Sequence, residues 1–375
     1  MSDVDAEAWD GLGGAKSIPF IQWSWIHALE ASGSASEETG WAPAHLTLWR
    51  GRKLVAAAPA YRKFHSMGEY IYDFGWANAA QELGIMYYPK LLVGVPLSPA
   101  TAPRFLTAEG EDRAALVDAL VRAAIEYARE EGCSGVHILY PPEEDARAIA
   151  ERHDFAHRLT EQYHWRNAGY RTWDDFLARF TSKRRHQLKR ERAAAAGQGI
   201  SLRTVRGAEL GPEHAERAWR FYEATNLRHP WGHLQLRRDF FHRVFRALPD
   251  QVELVEAVRG GKVIAGAFNL AHGDRLYGRY WGCFEEHPFL HFNVCMYHSI
   301  DECIRLGRTV FEPGAGGEHK IARGFVPTPV HSVHRIFDPQ LDRAVRAFIR
   351  RERAALEQDF ARGEEIAGLR PLPGR

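Results

Sequence analysis

Two short stretches decide how this chain is read: Arg50–Ala58 (RGRKLVAAA) and Arg259–Ala267 (RGGKVIAGA). They lie 209 positions apart (259 − 50) and agree at Arg50/Arg259, Gly51/Gly260, Lys53/Lys262, Ala56/Ala265 and Ala58/Ala267, with aliphatic exchanges between them. A glycine turn entering an apolar run predicts a hairpin. Turn residues converge easily, but the order beyond the turn agrees as well. A helix–glycine–strand unit follows in each half, at Asp112–Tyr140 and His291–Glu312. Duplication of a unit accounts for both coincidences.

Working outward, apolar residues at helical spacing predict helices over 18–33, 111–131, 215–226, 237–247, 291–306 and 338–362. Extended segments are expected at 45–49, 54–61, 90–95, 136–140, 252–258, 263–270, 276–282 and 309–312. Helix, hairpin, strand, helix, strand, twice over, is the grammar of the α/β (α+β) class with mixed sheets flanked by helices, in a tandem GNAT-like arrangement of acyl-CoA N-acyltransferase domains. The expected divisions are a flexible lead-in at 1–17, an N-terminal domain at 18–165, a C-terminal catalytic domain at 166–337 carrying a basic helix at 181–192, and a C-terminal helix and tail at 338–375.

Composition bounds the partners. The chain has 375 residues, and its 49 Lys+Arg against 48 Asp+Glu exclude a uniformly basic, DNA-binding surface. No apolar run approaches the ~18–20 residues of a membrane span, and the acidic start lacks a signal pattern, so a cytoplasmic location is expected. The cysteines (Cys133, Cys283, Cys295, Cys303) show neither CxxC nor zinc spacing and read as buried thiols. One segment departs from neutrality. Thr181–Arg192 (TSKRRHQLKRER) holds six Lys/Arg and one Glu, a local charge of +5. Lys183, Arg184 and Arg185 are its candidate phosphate-binding residues; a solvated helix face is the plain alternative.

Several chemistries are excluded. There is no GxSxG elbow, GAGGEHK lacks P-loop spacing, GLGG opens no strand–helix unit, and there is no HExxH, so no metal site is expected. Chemistry-bearing residues concentrate in 276–335. On a regular strand Tyr277, Arg279 and Trp281 would share one face and Gly278, Tyr280 and Gly282 the other. His291 opens a helix whose N-terminal amides suit a phosphate or oxyanion. Then Pro313, Gly314, Gly316 and Gly317 break a strand, and Glu318, His319, Lys320 and Arg323 follow within six residues. Glu318 or His319 can take a proton from an amine, and Lys320 or Arg323 can hold an anion.

Four motifs, LYGRYWG (Leu276–Gly282), LHF-x-x-C-x-Y (Leu290–Tyr297), GA-x-GEHK-x-ARGF-x-P (Gly314–Pro327) and S-x-H (Ser332–His334), resemble the FemAB-like branch of the GNAT superfamily, over about residues 18–350. The chain departs from that pattern at Asn293, where Glu is expected, at Met296 and His298, and at Gly316. The resemblance implies acyl transfer to an amine, with Glu318, His319 and His291 catalytic and Lys320, Arg323, Tyr277, Arg279, Tyr280, Trp281 and Asn293 binding substrate. It implies acyl-CoA as co-substrate, no tightly bound cofactor, and a lipid amine as acceptor, favoured as a sphingoid-type base in bacterial ceramide synthesis, with peripheral contact to the inner membrane. The aromatic residues, Trp231 among them, suit such an acceptor. Two alternatives stand beside this reading: an aminoacyl-tRNA-dependent transferase acting on a peptidoglycan precursor or peptide, and a non-catalytic ligand-binding module.

Overall fold

Both quoted hairpins form, and they match in a detail that the sequence does not display. Leu46–Arg50 pairs with Lys53–Ala58, and Val252–Arg259 pairs with Lys262–His272, each antiparallel. In the first, Leu48 faces Ala56 but Trp49 faces Leu54; in the second, Ala257 faces Ala265 but Val258 faces Val263. The extra residues, Val55 and Ile264, are again 209 apart (264 − 55). A bulge at the same place in two hairpins is a conformational match that turn residues alone do not require.

The computed structural model describes residues 1–228 and 232–370, so Trp231 and the last residues of the tail lie outside the described residues. The chain forms two compact units: residues 1–161 with 329–358, and residues 162–328 with the segment from Asp359 onward. In the first unit, strands Trp41–Pro43, Ala60–Lys63, Lys90–Val93, Gly135–Leu139 and the 332–336 part of Val326–Ile336 form a mixed sheet in that order. Helix Arg113–Glu130 covers it, burying Leu120, Val121 and Ala124 with Val93, Val136 and Ile138. In the second unit the order is the end of Ala156–Arg166, then Val310–Glu312, Arg275–Cys283, Lys262–His272, Val252–Arg259 and Ile200–Arg206. Only the Arg275–Cys283/Val310–Glu312 pairing is parallel among those registers. This is the expected class, mixed sheets flanked by helices.

The domain boundaries differ from expectation. Residues 1–17 are packed: Asp5 caps helix Ala6–Asp10, and Trp9 is fully buried with its Nε1 donating to the Ile21 carbonyl at 3.0 Å. One indole outweighs the acidic composition around it. Nor do residues 338–370 form a separate appendage. Helix Pro339–Ala361 buries Leu341, Val345 and Ile349 with Trp76, Tyr87 and Ala156 of the first unit. Beyond it, Leu369 bridges to Phe180, and Arg179 donates to the Arg370 carbonyl at 2.6 Å and to Glu364 at 3.0 Å in the second.

Candidate active site

The second unit carries a cavity of about 310 Å³ lined from the two central strands, the helix that begins at Leu290 and the glycine-rich loop. Strand Arg275–Cys283 does not run regularly past it. Phe268 faces Tyr280 while the next residue, Asn269, faces Gly278, which leaves Arg279 as an extra, unopposed residue. The bulge breaks the alternation expected for LYGRYWG, so that Arg279, Tyr280 and Trp281, three consecutive residues, all line the cavity. Tyr277 lies before the bulge, is buried, and is not among the lining residues. Gly278 allows a close approach: a Cβ there would sit 3.2 Å from Pro313 Cα.

The helix Leu290–Arg305 is irregular as well. Phe289 precedes it in the left-handed region (φ 62°), and its Asn293–Tyr297 turn is π-helical. Both features are costly in isolation and recur at functional sites. They bring His291, Cys295 and Met296 onto the cavity wall. His291 packs on Trp281 with ring centroids 4.6 Å apart, and its ring lies 5.7 Å from that of His319. Burial, then the neighbouring His319, Arg323 and Lys320, push the His291 pKa down to about 4, and burial lowers His319 too. Both rings are therefore neutral near pH 7, each with one ring nitrogen carrying a lone pair. Burial drives the Cys295 thiol upward, away from thiolate chemistry.

The loop Pro313–Gly317 owes its shape to Lys320. The Lys320 ammonium donates to the carbonyls of Gly314 (2.8 Å), Gly316 (2.5 Å) and Ala315 (3.4 Å). Gly314, Gly316 and Gly317 all have φ between 67° and 91°, which a side chain would strain. Burial lowers the Lys320 pKa to about 8. Its three hydrogens are engaged by the loop it shapes, so its charge reaches the cavity as a field.

The cavity thus brings together Arg279, Tyr280, Trp281, His291, His319 and Lys320. Other expected residues are elsewhere. Glu318 is exposed and does not line it. Arg323 is buried behind the wall, donating to Tyr297 Oη (3.0 Å), Glu191 Oε2 (2.7 Å) and the His319 carbonyl (2.7 Å), and stacked 3.3 Å from the Phe292 ring centroid. Asn293 is buried, donating to the carbonyls of Glu191 and Phe289. Lys183, Arg184 and Arg185 lie on helix Ser182–Gly197 and do not line the cavity; Arg184 bonds Gln187. Among the described residues no group of His, Cys, Asp and Glu is placed to hold a metal ion.

Two residues escaped the sequence reading. Asn269 is 3% exposed and lines the cavity, a lone amide within the apolar run Val263–Ala271; that interruption was the available signal. Glu312 is buried at the strand end before Pro313, bonded to Arg275 at 2.8 Å, and burial outweighs the arginines to raise its pKa to about 7. No carboxylate is among the lining residues. His291 and His319 are the lining side chains able to take up a proton, and Arg279 and Asn269 are able to donate to an anion.

Two units built on mixed sheets, with a histidine pair, an arginine and a lysine lining a cavity of the second, are the features set beside known proteins. The family model described as FemAB-like, peptidoglycan biosynthesis/recognition, matches residues 1–370, and the chain belongs to that family. No curated protein matches it. Among solved structures it is similar to FemX (13% identity, 92% of this chain and 98% of that one, TM-score 0.54). It is also similar to L-PGS from Bacillus licheniformis (12% identity, 87% and 96%, TM-score 0.50). A third likeness is the C-terminal domain of a protein assigned as a lysylphosphatidylglycerol synthetase from Agrobacterium fabrum (12% identity, 95% and 99%, TM-score 0.51). At these identities the likeness is one of fold. Neither the family nor these structures supports the sphingoid-base reading. Among the described residues no helix is long and apolar enough to cross a membrane.

Proposed function

We propose that this protein transfers an aminoacyl group from a charged tRNA to an amine of a cell-envelope precursor or lipid, in the cavity of its second unit. The observation that carries the reading is the pair of neutral histidines, His291 and His319, beside Arg279 and Asn269 in a cavity without a lining carboxylate. In this reaction the amine attacks the ester carbonyl. His319 or His291 accepts the amine proton, and Arg279 and Asn269 hold the oxyanion. The C–N bond forms as the C–O bond to the ribose breaks, and the proton passes to the departing 3′-hydroxyl. At about 310 Å³ the cavity is at the low end for ligand sites, which favours a small polar acyl group over a long chain. Lys183, Arg185 and Arg190, exposed or half-buried on helix Ser182–Gly197, have no ion pair among the described residues and are available to donor phosphates.

The test supplies purified protein with charged tRNA, or with acyl-CoAs of several lengths, together with candidate amines, and identifies products by mass spectrometry. Ribonuclease-sensitive transfer from tRNA is expected. Ribonuclease-resistant amide formation from a long-chain acyl-CoA and a sphingoid base would overturn the donor assignment. His291→Ala and His319→Ala together should lower turnover by about 10²–10⁴-fold, the usual worth of a general base, while Glu318→Ala stays near wild type.

A further inference from the structure

The first unit inverts the usual inside–outside rule over residues 64–86. Glu69, Ile71 and Asp73 point inward at 4%, 2% and 3% exposure, whereas Tyr72 (61%), Phe74 (42%), Leu83 (41%) and Met86 (81%) point outward, as do Phe64 and Met67. The inversion is anchored. Lys90, itself fully buried, pairs with Glu69 at 2.8 Å and with Asp73, and donates to Ser66 at 2.9 Å; Tyr87 donates to Asp73 at 2.7 Å. That network fixes the backbone of 66–73, so the aromatic side chains are held out and do not fold back onto the core. The Tyr72 and Phe74 rings stack, with centroids 5.8 Å apart. Arg158 ties this corner to helix Pro339–Ala361: it donates to the Tyr72 carbonyl at 2.9 Å and lies over both Trp76 and Phe348, the latter 39% exposed.

Charge follows the same face. Within 64–86 the only exposed carboxylate is Glu82. On the helix that bears Phe348, Arg351 is one turn away on the same side, exposed, and has no ion pair among the described residues. Outward aromatic and methionine side chains beside an unneutralised arginine match the acyl–headgroup boundary of an anionic bilayer: the rings leave water and the guanidinium meets a phosphate. We propose that this face of the first unit, Tyr72, Phe74, Met86 and Phe348 with Arg351, docks the protein on an anionic lipid surface. The site differs from the basic helix at 181–192, and nothing in the docking requires the transfer reaction.

The experiment is flotation of the full chain with vesicles rich in phosphatidylglycerol and, separately, with phosphatidylcholine vesicles. Wild type should float with the anionic vesicles, less so as salt rises. Tyr72→Ser with Phe74→Ser should weaken partition at least about tenfold at every salt concentration. Arg351→Gln should weaken it about fivefold at low salt and hardly at all at high salt. Met86→Ser, at the most exposed position, keeps the test valid if the double serine variant does not fold. Failure of wild type to float, or unchanged flotation of both Met86→Ser and the arginine variant, overturns the proposal. So does a wild-type dimer by light scattering that the serine substitutions convert to monomer, since the face would then meet a second copy of this chain.

Discussion

Asn293 is the position at which the sequence departs from the Glu expected from the FemAB-like resemblance, and its contacts show why an exchange is not neutral. Its amide donates to two main-chain carbonyls, Glu191 O at 2.8 Å and Phe289 O at 3.0 Å, which a carboxylate would repel. Asn293→Glu, although it restores the family residue, should therefore destabilise the protein by about 1–3 kcal/mol, read as a fall in the urea midpoint, and should not raise turnover. Lys320 gives a pH prediction. Its folded pKa is about 8 against the usual 10.5. Between those values the unfolded chain keeps a proton that the folded chain has lost, so stability should rise with pH across about 8 to 10.5. Turnover should fall over the same range as the ammonium that shapes the loop is discharged. Lys320→Met should flatten the stability slope in urea titrations at stepped pH. At the acid end His291, at about 4 instead of 6.5, acts in the same sense: stability is lost as pH falls from 6.5 towards 4, because the unfolded chain takes up the proton first. Residue identities made His291, His319 and Lys320 legible from sequence. They could not show that Arg323 is engaged by Glu191, 132 positions away, because a partner at that separation is set by tertiary packing alone.

At the level of elements, periodicity located most helices and strands, since an apolar stripe has to face a core. It failed at the bulge. Alternation in LYGRYWG put Arg279 and Tyr280 on opposite faces, and the one-residue slip between Phe268 and Asn269 puts both on the cavity. A slip of this kind changes no residue type, so nothing in the seven letters announces it. The glycines nearby carry a clearer signal. A Cβ on Gly282 would lie 2.0 Å from the Phe221 carbonyl oxygen, and one on Gly266 would lie 2.3 Å from the Phe221 ring. Helix Pro212–Arg228 can seat on strands Lys262–His272 and Arg275–Cys283 only where both side chains are absent. Gly282→Ala meets main chain, which cannot rotate away, and should cost about 1–3 kcal/mol or more in thermal unfolding. Gly266→Ala meets a ring as well as the Val255 carbonyl and should be destabilising in the same direction. Neither residue touches the reacting groups, so a loss of activity in Gly282→Ala should track the loss of folded protein.

On the scale of the whole molecule, the chain does not simply finish one unit and begin the next. The 209-residue repeat read from the two hairpins accounts for the duplicated grammar. It does not anticipate that residues 329–358 return to the first unit, or that the segment from Asp359 completes the second. Sequence periodicity reports the local element and is silent about which sheet a strand joins; the expected division puts 329–337 in the second domain and 338–375 apart from both, whereas residues 329–358 belong to the first unit. The crossing has a measurable consequence. Arg179, 5% exposed, donates to Glu364 and to the Arg370 carbonyl, and both partners lie beyond Gln358. A chain ended at Gln358 keeps every residue of the first unit and leaves the Arg179 guanidinium with only the Tyr170 hydroxyl, at 3.0 Å, of its partners. Removing partners from a buried charge costs several kcal/mol, on the order of 3–5. Hydrogen exchange should therefore show amide protection falling in helix Trp173–Ala178 and its neighbours at 162–206 while helix Arg113–Glu130 is unchanged. Uniform loss of protection in both units would mean that they unfold as one, and unchanged protection in both would mean that the terminal segment contributes no stability. Arg179→Met in the same truncated chain should recover much of the loss, because it removes the stranded charge and keeps an apolar side chain in its place.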